Sequence, residues 1–468
     1  YTTGAVTTTA TTITGAASDI ETALQSAGIV HAADIAVTIT DTNVGAEALN
    51  DVNDATTGVV TVQSTAITGT YTEVAASYAA NAAGTIAGLG NEAVTLNDGA
   101  GGAASYTPQQ IRLISASTTG AVTATSSSTD IAAILHADTG LSESGHNITV
   151  TVATASVTGA QLVSLDAKTD VQATINSTTV TGAVADILSA YGSSGLTGLG
   201  NEAITPTGPI TVAQANSLSA LTTGVVTATI SDNDMATLAG LTETGNAYTV
   251  TVTDASVSAS ALNTLNAKTT VPITVTSTEI NGTFADVIAV YDAGENGTIL
   301  GLGNEDSIIA GVLTVAQANT LAAQTTGVIT AAISEGDMAT LAGLTETGNA
   351  YTITVTDASV DAGALNTLDS KTTVSVSATA VNTITGTAAD INTAYTSNAA
   401  GTIHGLGNEA VTITDTSINA SALINLDAHT TGIVNAAAVT TITGTFAEIN
   451  AVYDAGENGT ILGLGNED

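Results

Sequence analysis

The chain of 468 residues has no cysteine, no tryptophan, two phenylalanines and four prolines. Without cysteine there are no disulfide staples, no thiolate metal sites and no thiol redox chemistry. Without aromatic bulk, a large three-dimensional core is hard to fill. Hydrophobic residues still make up 44% of the chain. They are mostly Ala, Val, Ile and Leu, which suit thin, uniform layers. Positive charge is nearly missing: Arg112, Lys168, Lys268 and Lys371 stand against 42 Asp and Glu, for a net charge of −38. Such a surface repels nucleic acid, whose phosphates call for basic side chains, and it repels anionic lipid. No apolar run approaches the roughly 20 residues of a membrane span, so neither nucleic-acid binding nor membrane insertion is expected. Salt at about 1 M shortens the screening length to about 3 Å and eases self-repulsion. A saline, extracellular setting is therefore expected.

What is present is repetition. Residues 291–306, YDAGENGTILGLGNED, return unchanged as 453–468. The core string GLGNE starts at Gly88, Gly198, Gly301, Gly405 and Gly463, with spacings of 110, 103, 104 and 58. Self-similarity of this kind marks an array whose parts pack mainly on their neighbours. An active site is normally assembled from unlike segments, so the pattern points away from catalysis and towards structure, adhesion or display.

Four kinds of segment follow one another. The first reads TVAQAN, at Thr211 and Thr314. The second reads DMATLAGLTETGNAYT from Asp234 and Asp337, with a diverged relative over 131–148. The third is a run like VTVTDASV followed by ALNTLNAKT from Ala261; the fourth is ITGTAADINTAYTSNAAGTIHGLGNE from Ile384. Alternating Thr/Ser and Val/Ile predicts strands. Leu262 and Leu265, Leu365 and Leu368, and Ile391 and Ala394 are spaced to share one side of a short helix. Ser258, Asp361 and Thr387 stand where an N-cap oxygen is needed. The expected fold is an α/β solenoid of about 17 strand–helix coils, each of about 27 residues, with a continuous parallel β-sheet. The alternative is a row of tandem β-sandwich domains of about 100 residues. The expected organisation is one linker-free array: 1–98 of third- and fourth-kind coils, long repeats over 99–202, 203–305 and 306–409, and a short terminal repeat over 410–468. Residues 99–104 (GAGGAA) read as a surface loop.

Chemistry-bearing patterns are few. His31, His136, His146, His404 and His429 fall at different repeat positions, and no Ser–His–Asp constellation follows from the spacing. GLGNE lacks the strand–GxGxxG–helix setting of dinucleotide sites. It reads instead as a tight turn with glycine at positive φ. No cofactor is expected. Two carboxylate ladders raise calcium as a structural ion, since hard oxygen ligands in loops suit it. One ladder is the strand-end Asp41, Asp98, Asp254, Asp357 and Asp415; the other is the GLGNE glutamate, Glu92, Glu202, Glu305, Glu409 and Glu467. Neither carries a known calcium-loop signature. The competing reading for the aspartates is a cap on the helix that follows. Lys168, Lys268 and Lys371 share one slot, where a lysine covers apolar surface and pairs with a neighbouring carboxylate.

Strings such as ITGTAADINTAY (384–395), GTIHGLGNEAVTITDTS (401–417) and ALINLDAHTTG (422–432) resemble the repeats of very large cell-surface proteins of marine unicellular cyanobacteria. That group includes the giant surface protein associated with non-flagellar swimming. The resemblance covers nearly all of the chain. It implies export, a cell-surface place and a structural or motility-related role, and it carries over no catalytic residues. Two function classes follow. One is a non-enzymatic acidic scaffold or filament that self-associates end to end or side by side. The other is an adhesin-like module for a glycan or cell-surface partner, whose aromatics would be exposed. The chain opens at Tyr1 and closes at Asp468 within repeats, so a portion of something longer is expected.

Overall fold

The computed structural model describes residues 4–142 and 144–465. Its contacts divide the chain into two compact units, Tyr1–Thr229 with Asn246–Tyr248, and Ile230–Gly245 with Thr249–Asp468. The division falls inside the second long repeat. Among the described residues there are 37 short strands and 17 helices.

In both units the common segment is a strand, a brief turn, a second strand and a helix. In the first unit Thr151–Val152, Ser156–Thr158 and Gly159–Asp166 are followed by Ala173–Ile175, Thr179–Gly182 and Val184–Gly192. Each strand pairs in parallel with its counterpart one segment on. Val152 lies opposite Ile175, Val157 opposite Val180, and Val180 opposite Ile204. In the second unit Val360, Ile384, Val411, Val434 and Ile461 stand in file across five strands. All of these are buried. Residues alternating with them point to the other face, as the pleat requires.

The helices bury the side that the three-residue spacing predicts: Leu262, Leu265, Leu365, Leu368, Ile391 and Ala394 are all buried. That side packs on the strands, while helix packs on neighbouring helix, as Ala362–Asp369 does on Ala388–Ala400. Asp361 accepts from the Ala364 N–H at 2.9 Å and Thr387 from the Asp390 N–H at 3.2 Å, so both are N-caps. Ser258 stands at the N-cap but makes no such bond.

The expected continuous sheet is not what forms. The described strands make 11 separate sheets of two to six strands. One reason is that a segment carries two strands, so two ladders advance together. The other is GLGNE itself. Ile403–His404 pairs back with Val376–Ser377, but the next strand, Ala410–Ile413, pairs back with Thr383–Gly386 and forward with Val434–Asn435. A second-position strand therefore supports a first-position strand, and the ladder steps sideways. Ala93–Leu96 does the same between Ala66–Gly69 and Val122–Ser126, as does Asp306–Leu313 between Glu279–Gly282 and Ile329–Ile333. Tandem sandwiches do not fit the described residues. Every strand pair whose register is described is parallel, whereas sandwiches are built from antiparallel sheets.

Candidate functional site

The GLGNE corner is the most elaborate local structure in the chain. Its first glycine has positive φ and is pressed against the preceding segment. At Gly301 φ is 90°, and a Cβ would stand 2.2 Å from the Val275 carbonyl oxygen. No L side chain fits there without moving main chain. The second glycine turns its N–H onto the motif's own glutamate: Gly90, Gly200, Gly303 and Gly407 each donate to it at 2.8 Å.

Glu92, Glu202, Glu305 and Glu409 are all buried. A buried carboxylate is tolerable only with donors around it. Tyrosines from the preceding helix supply a second one. Tyr78 donates to Glu92, Tyr191 to Glu202 at 2.8 Å and Tyr395 to Glu409 at 3.2 Å. In the third corner Tyr291 lies instead 3.2 Å from the Ser307 hydroxyl, and Glu202 and Glu305 each keep one buried oxygen without a partner. Burial first, and the nearby carboxylates second, push the Tyr78, Tyr191 and Tyr395 hydroxyls far above their ordinary pKa. The following segment then clasps the corner. Thr118, Thr222, Thr325 and Thr430 donate to the carbonyl oxygens of Glu92, Glu202, Glu305 and Glu409 at 2.6–2.7 Å. Glu467 lies outside the described residues.

The aspartate ladder caps helices, but not the helices that follow. Asp41 accepts from the Ala17 N–H at 2.7 Å, Asp254 from Met235 at 2.8 Å, Asp357 from Met338 at 2.7 Å and Asp415 from Ala388 at 2.6 Å. Each N–H is the first of the preceding segment's helix, where a carboxylate meets both an unpaired donor and the positive helix end. Asp98 departs from the set: its Oδ1 accepts from Ala100 at 3.0 Å and Gly102 at 2.6 Å, folding the exposed 99–104 loop onto itself. Sequence reading chose the wrong helix because the partner lies a whole segment away.

The described members of each ladder lie at separate segments rather than around one point. Calcium takes six to eight oxygens around one point. Among the described residues no group of three or more His, Cys, Asp or Glu stands close enough to hold a metal ion. Ala17, Met235, Met338 and Ala388 direct their N–H groups at the Asp oxygens, and the GLGNE glycines direct theirs at the Glu oxygens. The described carboxylates of both ladders have main-chain donors.

Lys268 and Lys371 donate to the carbonyls of Thr242 and Thr345, both at 2.7 Å, where a carboxylate was expected. His429, in the same slot, stacks on Tyr395 with ring centroids 5.5 Å apart. His31 bonds the carbonyls of Ala32 and Leu24, which raise its pKa; His404 bonds Val376. A sixth corner escaped the sequence reading. At 31–35 the string HAADI stands where GLGNE stands elsewhere, with Ile35 in the glutamate slot. The flanking strings IV and AVTITD were the available signal. Against family models, curated proteins and solved structures alike, the chain finds no match. No helix among the described residues is long and apolar enough to cross a membrane.

Proposed function

We propose that this chain is a non-enzymatic structural protein of a bacterial cell surface or extracellular filament. Its strand–helix coils, about 17 of them, form one stiff acidic solenoid. The observation that carries this reading is where the repeated residues spend their bonding capacity. Among the described residues the GLGNE glutamates, four of the five strand-end aspartates and the Thr-x-Gly clasps spend their bonds on main chain and on neighbouring segments. The resemblance to cyanobacterial giant surface proteins agrees with it. The adhesin reading needs exposed aromatics, yet Tyr78, Tyr291 and Tyr395 are buried under their corners.

Self-association follows from one pair of copies. Tyr291 is 3% exposed beneath the next segment, whereas its copy Tyr453 is 39% exposed and Phe446 is 86% exposed. The face around Phe446 and Tyr453 has the composition of one that accepts a further coil, through a head-to-tail contact that does not close. Light scattering and negative-stain microscopy in high salt test both claims. The expected result is thin, stiff particles that lengthen with concentration, with Phe446→Asp blocking the growth. Compact particles would overturn the solenoid. Thin particles of fixed length would overturn the stacking alone.

A further inference from the structure

In the first compact unit a cavity of about 560 Å³ is lined by Arg112, His146 and Lys168, with hydroxyls from Ser115, Thr118 and Ser142. Two of the chain's four Lys and Arg meet there, although acidic residues outnumber them 42 to 4. No Asp or Glu among the described residues lines it. Glu143, next to Ser142, lies outside the described residues.

The third long repeat shows what this place is elsewhere. Its matching residues are Asn319, Asn349 and Lys371, and there all three bond main chain. Asn319 donates to the Gly343 carbonyl at 2.7 Å and accepts from the Thr345 N–H at 3.1 Å, while Lys371 donates to the Thr345 carbonyl. In the first copy Arg112 replaces Asn319 and His146 replaces Asn349. His146 keeps the structural role of that asparagine. Its Nδ1 accepts from the Val122 N–H at 3.1 Å, as Asn349 Oδ1 does from Ile329 at 2.9 Å. The Asn319 and Lys371 bonds have no counterpart among the described residues. Arg112 and Lys168 are left facing the cavity. Burial lowers the His146 pKa, against the pull of Asp170. With Nδ1 occupied, the neutral ring carries its proton on Nε2.

We propose that this cavity binds a small tetrahedral oxyanion, a sulfate or phosphate monoester of about monosaccharide size. The lining offers donors without an opposing carboxylate among the described residues: a planar guanidinium fork, an ammonium and an imidazole N–H. The Ser115 and Thr118 hydroxyls already donate to the Ile111 and Glu92 carbonyls. The volume falls in the range of small-molecule sites. The acidic surface as a whole repels anions, so a site of this composition works by short-range donors and improves as salt screens the distant charge. This inference stands apart from the structural role and survives its failure.

Isothermal titration calorimetry of the full chain at about 0.5 M NaCl, where the screening length is a few Å, tests it. The probes are the sulfate and phosphate monoesters of glucose on its primary hydroxyl, and glucose itself. One ester or both bind at one site per chain, and glucose does not. Arg112→Asn installs the residue of the other repeats, and Lys168→Met keeps the stem; each weakens binding at least tenfold while the melting curve stays unchanged. If neither ester binds, or if both variants bind as the parent does, the proposal is overturned.

Discussion

The corners at 29–39 and 403–413 have the same frame and opposite fillings. Both enter on a two-residue strand and leave on a four-residue strand, Ala36–Ile39 or Ala410–Ile413. In the later corner Gly405 and Gly407 have positive φ, and Glu409 is buried beneath Tyr395. In the earlier one His31 and Ala33 take the glycine places without positive φ, Ile35 replaces Glu409 and Leu24 replaces Tyr395. The following segment grips both alike. Thr56 donates to the Ile35 carbonyl and Thr430 to the Glu409 carbonyl, each at 2.6 Å. The four polar-corner features change as a set, and the main-chain clasp stays. A buried carboxylate that is exchanged together with its donors for alkyl groups is packing, which is why neither ligand nor catalysis is read into it.

The clasp carries the largest expected effect, because both corners share it. A Cβ at Gly432 would lie 2.2 Å from the Glu409 carbonyl oxygen, and at Gly58 it would lie 2.4 Å from that of Ile35. Neither contact is relieved by rotating a side chain. Gly58→Ala and Gly432→Ala are each expected to cost about 3 kcal/mol, the upper range of overpacking. Denaturant melts would show similar losses at the two sites. A loss confined to Gly432 would break the comparison, since it would tie the clasp to the polar filling.

The filling is probed by exchanging it. Glu409→Ile strands the Tyr395 hydroxyl and the Gly407 N–H, and leaving buried donors unpaired costs about 2 kcal/mol. Adding Tyr395→Leu rebuilds the apolar pair found at Leu24 and Ile35. The double variant is expected to be more stable than the sum of its parts by about 1 kcal/mol, within the usual coupling of touching residues. Simple additivity in the cycle would show that the two side chains do not act as a pair.

Much of the segment was legible in the sequence because its causes are local. Alternating Val and Thr marked the strands, and Leu365 and Leu368 marked a helical side. Asp361 and Thr387 cap the helices that begin at their own positions. What was hidden depends on which residues meet one segment later. Nothing within Thr40–Asp41–Thr42 says that Asp41 reaches back to Ala17. Nothing in GLGNE says that the strand after it changes ladders. The corner at 31–35 was hidden for another reason: its filling obeys the opposite polarity, so a search for the string passes over the structure.

Alkaline pH separates the two fillings without mutation. A buried tyrosine is neutral in both states below about pH 10, and its burial contributes fully there. Above that the unfolded chain loses the proton while the folded chain holds it, so stability falls with rising pH. Tyr351, pushed up to about 12 by burial and then by Glu346, loses its contribution between about 10 and 12. Tyr78, Tyr191 and Tyr395 are raised for the same first reason. Melting temperature should therefore decline above about pH 10. A chain whose polar corners carry the Leu and Ile filling should decline less. Equal decline would place the effect outside the corners.

The smallest effect compares two copies of one slot. Asp98 and Asp415 end matching strings, AVTLND and AVTITD, but only Asp415 reaches a helix, accepting from Ala388 at 2.6 Å. Losing an N-terminal cap costs about 1 kcal/mol, whereas a surface residue outside such a feature changes stability by about 0.5 kcal/mol or less. Asp415→Ala should therefore lower the melting temperature measurably, and Asp98→Ala should barely move it. Asp415→Asn should recover part of the loss, because an amide oxygen still accepts from Ala388 but brings no charge to the helix end. A chelator should leave all three differences unchanged, since the partner of each carboxylate is a main-chain N–H. If chelation instead lowered the parent's melting temperature to that of Asp415→Ala, the cap would be serving a cation after all, and the aspartate ladder would have to be reread as a ligand set.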